Sequence, residues 1–178
     1  NVIGERQNTE KFLPKLIQRI HQGYEMPIYA DSEDKIGSRV YIDAKNVADA
    51  LMFLVEKEPT RYDPTWTPKH IKLPSMTGSW IFNWDNIEKI DHHRPDRYNI
   101  CGETELNNLE MAKLVAKIMG KELKYKLVPS ESARPGYDRR YRLDGSRIDC
   151  AGWRAPIQFE ETIERIVKWT LEHPHWLV

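Results

Sequence analysis

Four stretches of the chain carry apolar residues at a spacing that places them on one face of a helix. These faces are Leu13, Leu16, Ile17 and Ile20; Val47, Ala50, Leu51 and Leu54; Met111, Leu114, Val115 and Ile118; and Phe159, Ile163, Ile166, Val167 and Thr170. Because a surface helix buries such a face, we predict about four helices packed on a common core.

Residues that favour helix ends flank these stretches. Thr9 and Asp43 precede the first and second helices, where a side-chain oxygen can cap free backbone N–H groups. Asn107 and Glu110 form a capping-box pair at the start of the third helix. The residues that end helices are Gly23, Gly120 and Pro174. The predicted helices therefore have defined ends.

Alternating apolar and polar residues predict short strands between the helices. The alternating segments are 38–43 and 123–128; segments 26–31 and 79–84 are further strand candidates, with a strand end at 1–3. Strands interspersed with helices predict an α/β fold built from small, mixed pieces of sheet.

Composition narrows the classes of function. The 178 residues carry 27 basic and 27 acidic side chains, so general attraction to nucleic acid or to a membrane surface is not expected. No apolar run approaches the roughly 20 residues that span a bilayer. Cys101 and Cys150 lie far apart in sequence, which favours buried thiols in a reducing compartment, and we expect a cytoplasmic protein.

The arginine stretch, residues 133–148, is the most distinctive segment. It holds five arginines: Arg134, Arg139, Arg140, Arg142 and Arg147. Guanidinium groups match phosphate oxygens and stack on flat rings, so Arg134 and Tyr137 beside a Pro-Gly turn could clamp an anion that carries a ring. A solvated basic loop that leads into a strand is the simpler interpretation.

The arginine stretch resembles a known family. Its Arg-Pro-Gly-Tyr-Asp-Arg-Arg-Tyr run, the later Asp-Gly-Ser-Arg and the Ala-Gly-Trp before the last helix are similar to the end of NAD-dependent nucleotide-sugar epimerases and dehydratases. These are extended short-chain dehydrogenases, of which dTDP-glucose 4,6-dehydratase is typical. The chain departs from the family at Tyr137, where histidine is usual, at Arg147, where lysine is usual, and at Ala151, where leucine is usual.

The resemblance implies a set of substrate-binding residues. Relatives place an asparagine at Asn1 near the diphosphate and an arginine near Arg39 on a phosphate. Segment 97–102 resembles a strand of the family, in which the asparagine at Asn99 contacts the nucleotide sugar. The segments around Lys11 and Tyr29 run beside the base in relatives. With the two residues from the arginine stretch, the candidates are Asn1, Asn99, Arg134, Tyr137, Arg39, Tyr29 and Lys11.

The residues that carry hydride chemistry in this family have no match in the sequence. That chemistry needs a Gly-x-x-Gly-x-x-Gly turn for the dinucleotide and a Tyr-x-x-x-Lys acid–base pair. Tyr41 and Lys45 satisfy the second pattern by spacing, but they lie at a strand-to-helix junction and we interpret them as a coincidence. We therefore predict no catalytic residue in this chain and expect the dinucleotide-binding half to precede Asn1.

Residues 59–97 depart from the family pattern and are rich in proline and tryptophan. We interpret them as an insertion that packs on its own domain; a covering flap or a subunit contact is the alternative. Asp91, His92, His93 and Asp96 resemble metal ligands, but adjacent histidines rarely bind one ion and we predict no metal.

We therefore predict one nucleotide-sugar-binding domain over residues 1–178, with the insertion at 59–97. It would be the C-terminal substrate-binding part of an extended Rossmann-type short-chain dehydrogenase, a 4,6-dehydratase or a 4-epimerase. The expected partner is a nucleotide-diphosphate sugar. NAD would bind the full-length parent and not this chain alone, and the parent could be a homodimer. The alternative is a non-catalytic sugar-nucleotide-binding or protein-assembly module.

Overall fold

The fold is given by a computed structural model, which describes residues 1–56, 97–130 and 138–177. The predicted strand at 79–84, the aspartates and histidines at 91–96 and all but the last residue of the 59–97 insertion lie outside the described residues. So do two candidate site residues, Arg134 and Tyr137.

The described residues form an α/β structure with five helices, as the sequence predicted in outline. The helices are α1 (Phe12–Gln22), α2 (Ala44–Glu56), α3 (Asn108–Met119), α4 (Ser146–Cys150) and α5 (Phe159–Glu172), followed by a 3₁₀ turn at Pro174–Leu177. The short helix α4 is the one that the periodicity did not predict, because five residues are too few to show a helical repeat.

The predicted helix ends are mostly confirmed. Gly23 and Gly120 follow α1 and α3 in the left-handed conformation, with φ of 73° and 62°. At the start of α3, the Asn107 side chain accepts from the backbone N–H of Leu109 and Glu110, and Glu110 accepts from the Asn107 N–H. The capping box is therefore complete.

Thr9 does not cap α1, so that prediction was wrong. The residue before the helix is Lys11, which has no side-chain capping bond. With Phe12 as its first residue, α1 holds Pro14 in its first turn, where the missing N–H costs no helical hydrogen bond. A helix beginning directly after Thr9 would have placed Pro14 where that bond is needed.

The strands form three small sheets. They are β1 (Val2–Ile3), β2 (Met26–Ala30), β3 (Ser38–Val40), β4 (Ile42–Asp43), β5 (Glu105–Asn107), β6 (Tyr125–Pro129) and β7 (Arg140–Tyr141). In the first sheet β1 pairs with β4, and in the second β2 pairs with β6, both in parallel. In the third, β3 lies between antiparallel β5 and parallel β7.

Two predicted strands differ in the structure. Segment 38–43 is two strands, because β3 joins the third sheet whereas β4 joins β1, and Tyr41 lies between them. Segment 97–102 makes no ladder. The side chains of Asn99 and Cys101 form hydrogen bonds to the arginine stretch instead, and Gly102 lies close to the backbone of Tyr41.

The larger core cluster joins α1, α3 and α5 on β2. Its fully buried members include Leu16, Ile17, Ile28, Met111, Val115, Ile163 and Val167. A second cluster joins α2, α4 and the segment after residue 97 through Ile42, Ala50, Ile148 and Trp153. Three of the four predicted helix faces therefore lie in the larger core, and Ala50 of the remaining face lies in the second cluster.

Three predictions of burial were wrong. Leu51 of α2 is 52% exposed, because α2 buries Asn46 and Ala50 instead. Strand β6 is largely exposed where alternation was expected, since β2 is the one strand that pairs with it among the described residues. Cys150 is exposed and Cys101 is half-buried; both are free thiols.

Within the described ranges, none of the helices combines the length and apolar character needed to cross a bilayer.

Candidate functional site

The described part of the arginine stretch enters the third sheet at β7. Arg140 and Tyr141 pair with Ser38 and Arg39 of β3, and the Ser38 N–H donates to the carbonyl oxygen of Arg139 at 2.8 Å. Helix α4 follows, with Ile148 buried against Trp153 in the second cluster. The stretch is therefore part of the folded scaffold on its carboxyl-terminal side.

Glu105 on β5 is the centre of an ion-pair network in this sheet. Arg140 donates to both of its carboxylate oxygens at 2.8 Å, Ser38 donates its hydroxyl at 2.7 Å, and Arg142 lies at 3.5 Å. The hydrogen bonds from Arg140 and then Ser38 lower the pKa of Glu105 to about 2. The sequence showed five arginines together but gave no sign that this acid pairs with two of them, because the pairing depends on sheet register.

Arg139 and Arg147, the other two described arginines of the stretch, also have partners. Arg139 forms an ion pair with Asp31 at 3.1 Å, and the Arg147 guanidinium lies 5.1 Å from the centre of the Tyr98 ring. The backbone N–H of Lys35 lowers the pKa of Asp31, and Arg139 lowers it further. Much of the positive charge in the stretch is therefore balanced by the protein itself.

Replacing Glu105 with glutamine is expected to change how stability depends on pH. The carboxylate has a folded pKa of about 2 against an ordinary 4.5, so its stabilising effect is complete above pH 4.5 and is lost as the pH falls toward 2. The difference in urea midpoint between the unmodified chain and Glu105→Gln should be largest at pH 7 and shrink at pH 2.5. Glu33→Gln is the control, because Glu33 pairs with Lys35 at the surface. A difference that is constant with pH would contradict the assignment.

Arg39 holds the backbone of the arginine stretch. Its guanidinium donates to the carbonyl oxygens of Asp138 at 2.6 Å, Arg139 at 3.3 Å and Ser38 at 2.6 Å. Arg39 is half-buried on β3. The residue that the sequence placed near a phosphate is thus bonded to the segment that follows Arg134 and Tyr137.

Asn99 and Cys101 hold the next part of the same stretch. The Asn99 side-chain amide donates to the carbonyl oxygen of Asp144 at 3.0 Å, and the Cys101 thiol lies 3.5 Å from that of Leu143. A Cβ atom on Gly145 would approach the Cys101 sulfur to 2.7 Å, so the two segments lie very close. Burial raises the pKa of the Cys101 thiol, which therefore is not a reactive thiolate.

Asn1 lies beside this group. Its backbone nitrogen donates to the carbonyl oxygen of Val40, the residue after Arg39. Its carbonyl oxygen accepts from the Ile42 N–H at 3.0 Å. The structure therefore brings Arg39 and Asn99 to the described part of the arginine stretch, and Asn1 lies beside Arg39 on the neighbouring strands.

The two remaining described candidates lie on other elements. Tyr29 is half-buried on β2, in register with Val128 near the end of β6. Lys11 is exposed immediately before α1, and its backbone N–H donates to the carbonyl oxygen of Asn8 at 2.9 Å. Tyr29 thus lies near the point where the chain passes from β6 toward the arginine stretch, and Lys11 lies at the start of a core helix.

A cleft of about 180 Å³ lies on a different part of the chain. Tyr41, Asp43, Gly102, Arg154 and Phe159 are among the residues that line it. Tyr41 is buried and its ring centre lies 6.2 Å from that of Phe159, while Lys45 is 3.8 Å from Glu5. Tyr41 is thus a core residue, as expected if its spacing from Lys45 is a coincidence.

The sequence lacks the glycine-rich turn of a Rossmann dinucleotide site. A glycine-rich turn between a strand and a helix N-terminus is what holds the pyrophosphate in Rossmann folds. No three of the nine glycines have the required spacing, and no glycine lies between β4 and α2. Among the described residues, no three His, Cys, Asp or Glu side chains are grouped to hold a metal ion.

The fold defines a class of protein. It matches the C-terminal part of Rossmann-type short-chain dehydrogenases that act as nucleotide-sugar dehydratases and epimerases. Among solved structures, dTDP-glucose 4,6-dehydratase DesIV from Streptomyces venezuelae, with NAD and TYD bound, superimposes with a TM-score of 0.69. The two are 21% identical, over 99% of this chain and 43% of that one.

Sequence comparison gives the same class. The chain is 27% identical to the low-salt glycan biosynthesis protein Agl12 of Haloferax volcanii, over 96% of this chain and 43% of the relative. It is 25% identical to dTDP-glucose 4,6-dehydratase of Haemophilus influenzae, again over 96% of this chain and 43% of the relative. No family model matches the chain.

The homologues and structural neighbours of this chain are therefore dTDP-glucose 4,6-dehydratases and UDP-sugar epimerases of the extended short-chain dehydrogenase type. The family resemblance and the fold class inferred from the sequence are confirmed. The chain spans 43% of the length of the two relatives described above.

Proposed function

We propose that residues 1–178 form the nucleotide-sugar-binding domain of an NAD-dependent nucleotide-sugar 4,6-dehydratase or 4-epimerase. The domain holds the diphosphate and the base of the substrate, and the insertion at 59–97 belongs to it. The proposed substrate contacts are Asn1, Asn99, Arg134, Tyr137, Tyr29 and Lys11. NAD is held by the remainder of the parent polypeptide.

One observation supports this proposal above the others. Two residues chosen from separate motifs, Arg39 and Asn99, bond to the same arginine-rich segment in the fold, and Asn1 lies against Val40, the residue after Arg39. Amide and guanidinium groups are the donors that bind pyrophosphate oxygens in proteins. A basic loop without such a function would give no reason for these motifs to converge.

The four described arginines of the stretch already have partners. Arg140 and Arg142 share Glu105, Arg139 pairs with Asp31, and Arg147 lies over Tyr98. A guanidinium already paired with a carboxylate gains less from a phosphate, because it must give up or share its first partner. We assign the diphosphate to Arg134, which lies outside the described residues, because the resemblance to the family places the matching arginine on the substrate.

Replacing Arg134 with alanine is expected to abolish detectable binding of UDP and dTDP. Loss of a bidentate, charge-assisted contact should weaken affinity at least about 100-fold, from roughly 3 kcal/mol of lost interaction. Titration calorimetry with UDP, dTDP, UDP-glucose and dTDP-glucose measures the effect on the unmodified chain and the variant.

Arg142→Ala is the matched control, because Arg142 lies in the same stretch but shares Glu105 with Arg140, with its guanidinium 3.5 Å from the carboxylate. It should change affinity less than about threefold. Equal binding by Arg134→Ala and the unmodified chain would remove Arg134 from the site. An unmodified chain that binds none of the four ligands would contradict the proposed function itself.

A protein-assembly module without catalysis is the second candidate. The observation that favours it is a row of exposed apolar side chains near the end of α2, where Leu51, Met52 and Val55 are 52%, 57% and 78% exposed. Assaying the natural polypeptide for conversion of UDP-glucose and dTDP-glucose in the presence of NAD separates the two. Turnover supports the enzyme, and nucleotide binding without turnover supports the module.

A further inference from the structure

The arginine stretch is held at two points by side chains rather than by a long ladder. Strand β7 has only two residues, too few to be stable through backbone pairing alone. Arg39 supplies further bonds at Asp138 and Arg139, and Asn99 supplies one at Asp144. The segment between these points carries Arg140 and Arg142, which Glu105 holds from the side.

We propose that Arg39 and Asn99 are positioning residues, which fix the backbone of residues 138–144 and so place the arginine stretch for its ligand. This inference rests on the proposed function. It changes the role expected for Arg39, from a ligand of the phosphate to a support for the segment that provides the ligand. For Asn99 it adds a second role, since its amide donates to the protein while its oxygen can still face a substrate.

The geometry of Arg39 favours the supporting role. A guanidinium group has five N–H donors in a planar fork, and two neighbouring carbonyl oxygens can be bonded by its two terminal nitrogens. Nη2 donates to Asp138, while Nη1 donates to Arg139 and to Ser38. Three of the five N–H groups are thus bonded to carbonyl oxygens of the protein, and a phosphate that took their place would break charge-assisted bonds close to the segment that binds the ligand.

The position of the bonds explains why they matter for the site. Asp138 directly follows Tyr137, and the carbonyl oxygen of Arg139 accepts from both Arg39 and the Ser38 N–H. Arg39 thus fixes the first two described peptide units after Tyr137 in the sequence. A displacement of about 1 Å is enough to reduce substantially the contribution of a phosphate-binding group to the affinity for its ligand.

Hydrogen–deuterium exchange of the ligand-free chain tests the support directly. In Arg39→Ala, backbone amides of residues 138–142 should exchange about tenfold faster, as expected for the loss of one or more hydrogen bonds. In Asn99→Ala, the increase should lie at residues 143–146. Arg19→Ala is the matched control, because Arg19 also donates to a backbone carbonyl oxygen, that of Glu25 at 2.6 Å, but on a distant element.

Binding measurements separate a positioning role from a merely structural one. Arg39→Ala should weaken UDP by at least about tenfold while uridine, which lacks the diphosphate, changes little; a general defect would weaken both. Arg39→Lys keeps the charge but not the planar fork, so we expect it to behave like Arg39→Ala in both exchange and UDP affinity.

Three results would overturn the inference. Unchanged exchange at 138–142 in Arg39→Ala with weaker UDP binding would make Arg39 a direct ligand. Faster exchange with unchanged UDP affinity would show that the support does not affect the site. UDP affinity retained in Arg39→Lys would show that charge alone matters. A lack of UDP and dTDP binding by the unmodified chain would instead remove the proposed function, while the exchange data would still report on the support.

Discussion

Replacing Gly102 with alanine is expected to cause a larger loss of stability than the same replacement at any other glycine for which the structure describes the surroundings. A Cβ atom at position 102 would lie 1.8 Å from the carbonyl oxygen of Tyr41 and 2.8 Å from its carbonyl carbon. Both atoms are backbone, so no side-chain rotation can relieve the clash. The segment after residue 97 would have to move away from Tyr41 and Ile42.

That movement would disturb the contacts of the residues on both sides of the crossing. Tyr41 joins β3 to β4, its N–H donates to the carbonyl oxygen of Thr104 at 3.2 Å, and Cys101 precedes the glycine in the contact with Leu143. We expect the free energy of unfolding to fall by at least about 3 kcal/mol, beyond the usual range for overpacking, because backbone must shift. Urea denaturation followed by circular dichroism measures it.

Gly23→Ala is the control for Gly102→Ala. Gly23 has a φ of 73°, and no atom lies within 4 Å of the place that a Cβ would take, so the same substitution there costs only backbone strain of about 1 kcal/mol. If Gly102→Ala were no more destabilising than Gly23→Ala, the close crossing of the two segments would be wrong.

The sequence predicted those parts of the fold that depend on local chemistry. The faces of α1, α3 and α5, the capping box at Asn107 and the glycines after α1 and α3 are each determined by residues within one or two turns. Gly102 is different. It was visible as a glycine after a strand-like segment, but the atom that excludes a side chain belongs to Tyr41, which is distant in sequence.

In the candidate site, too, the residues could be predicted from the sequence but their contacts could not. Residue types and the family pattern pointed to Arg39 and Asn99, and the fold brings both to the arginine stretch. The hydrogen-bond partners of these two side chains could not be predicted from the sequence. The partners are backbone carbonyl oxygens, whose positions depend on the register of β3 with β7. Glu105 was missed for that reason: an acid on a short strand has no local mark of pairing with Arg140.

The second large effect is expected from Asp43→Ala, which would remove the most deeply buried charge of the described chain. Asp43 was predicted as a helix cap, and its Oδ1 does accept the Lys45 N–H at 2.9 Å. Its side chain also has a role that the sequence did not suggest. Oδ2 accepts from the Thr162 hydroxyl at 2.8 Å and from the Arg165 guanidinium, both on α5.

Without Asp43, Arg165 would retain only Glu5 as an acidic partner among the described residues, and the hydroxyl of buried Thr162 would lose its acceptor. Removing one member of a buried ion pair typically costs about 3–5 kcal/mol, because the other charge stays desolvated. We expect about 3 kcal/mol here, since Glu5 compensates in part. Glu33→Gln, at an exposed ion pair, should change stability by less than about 0.5 kcal/mol.

A double-mutant cycle identifies the cause of the loss. If the unpaired Arg165 charge dominates, Asp43→Ala combined with Arg165→Met should be less destabilised than the sum of the two single variants, by at least about 1 kcal/mol. Strict additivity would mean that the capping bond to Lys45 and the bond from Thr162 account for the effect. In that case the hydrogen bonds that Asp43 accepts, and not its ion pair with Arg165, would account for the attachment of α5 to the start of α2.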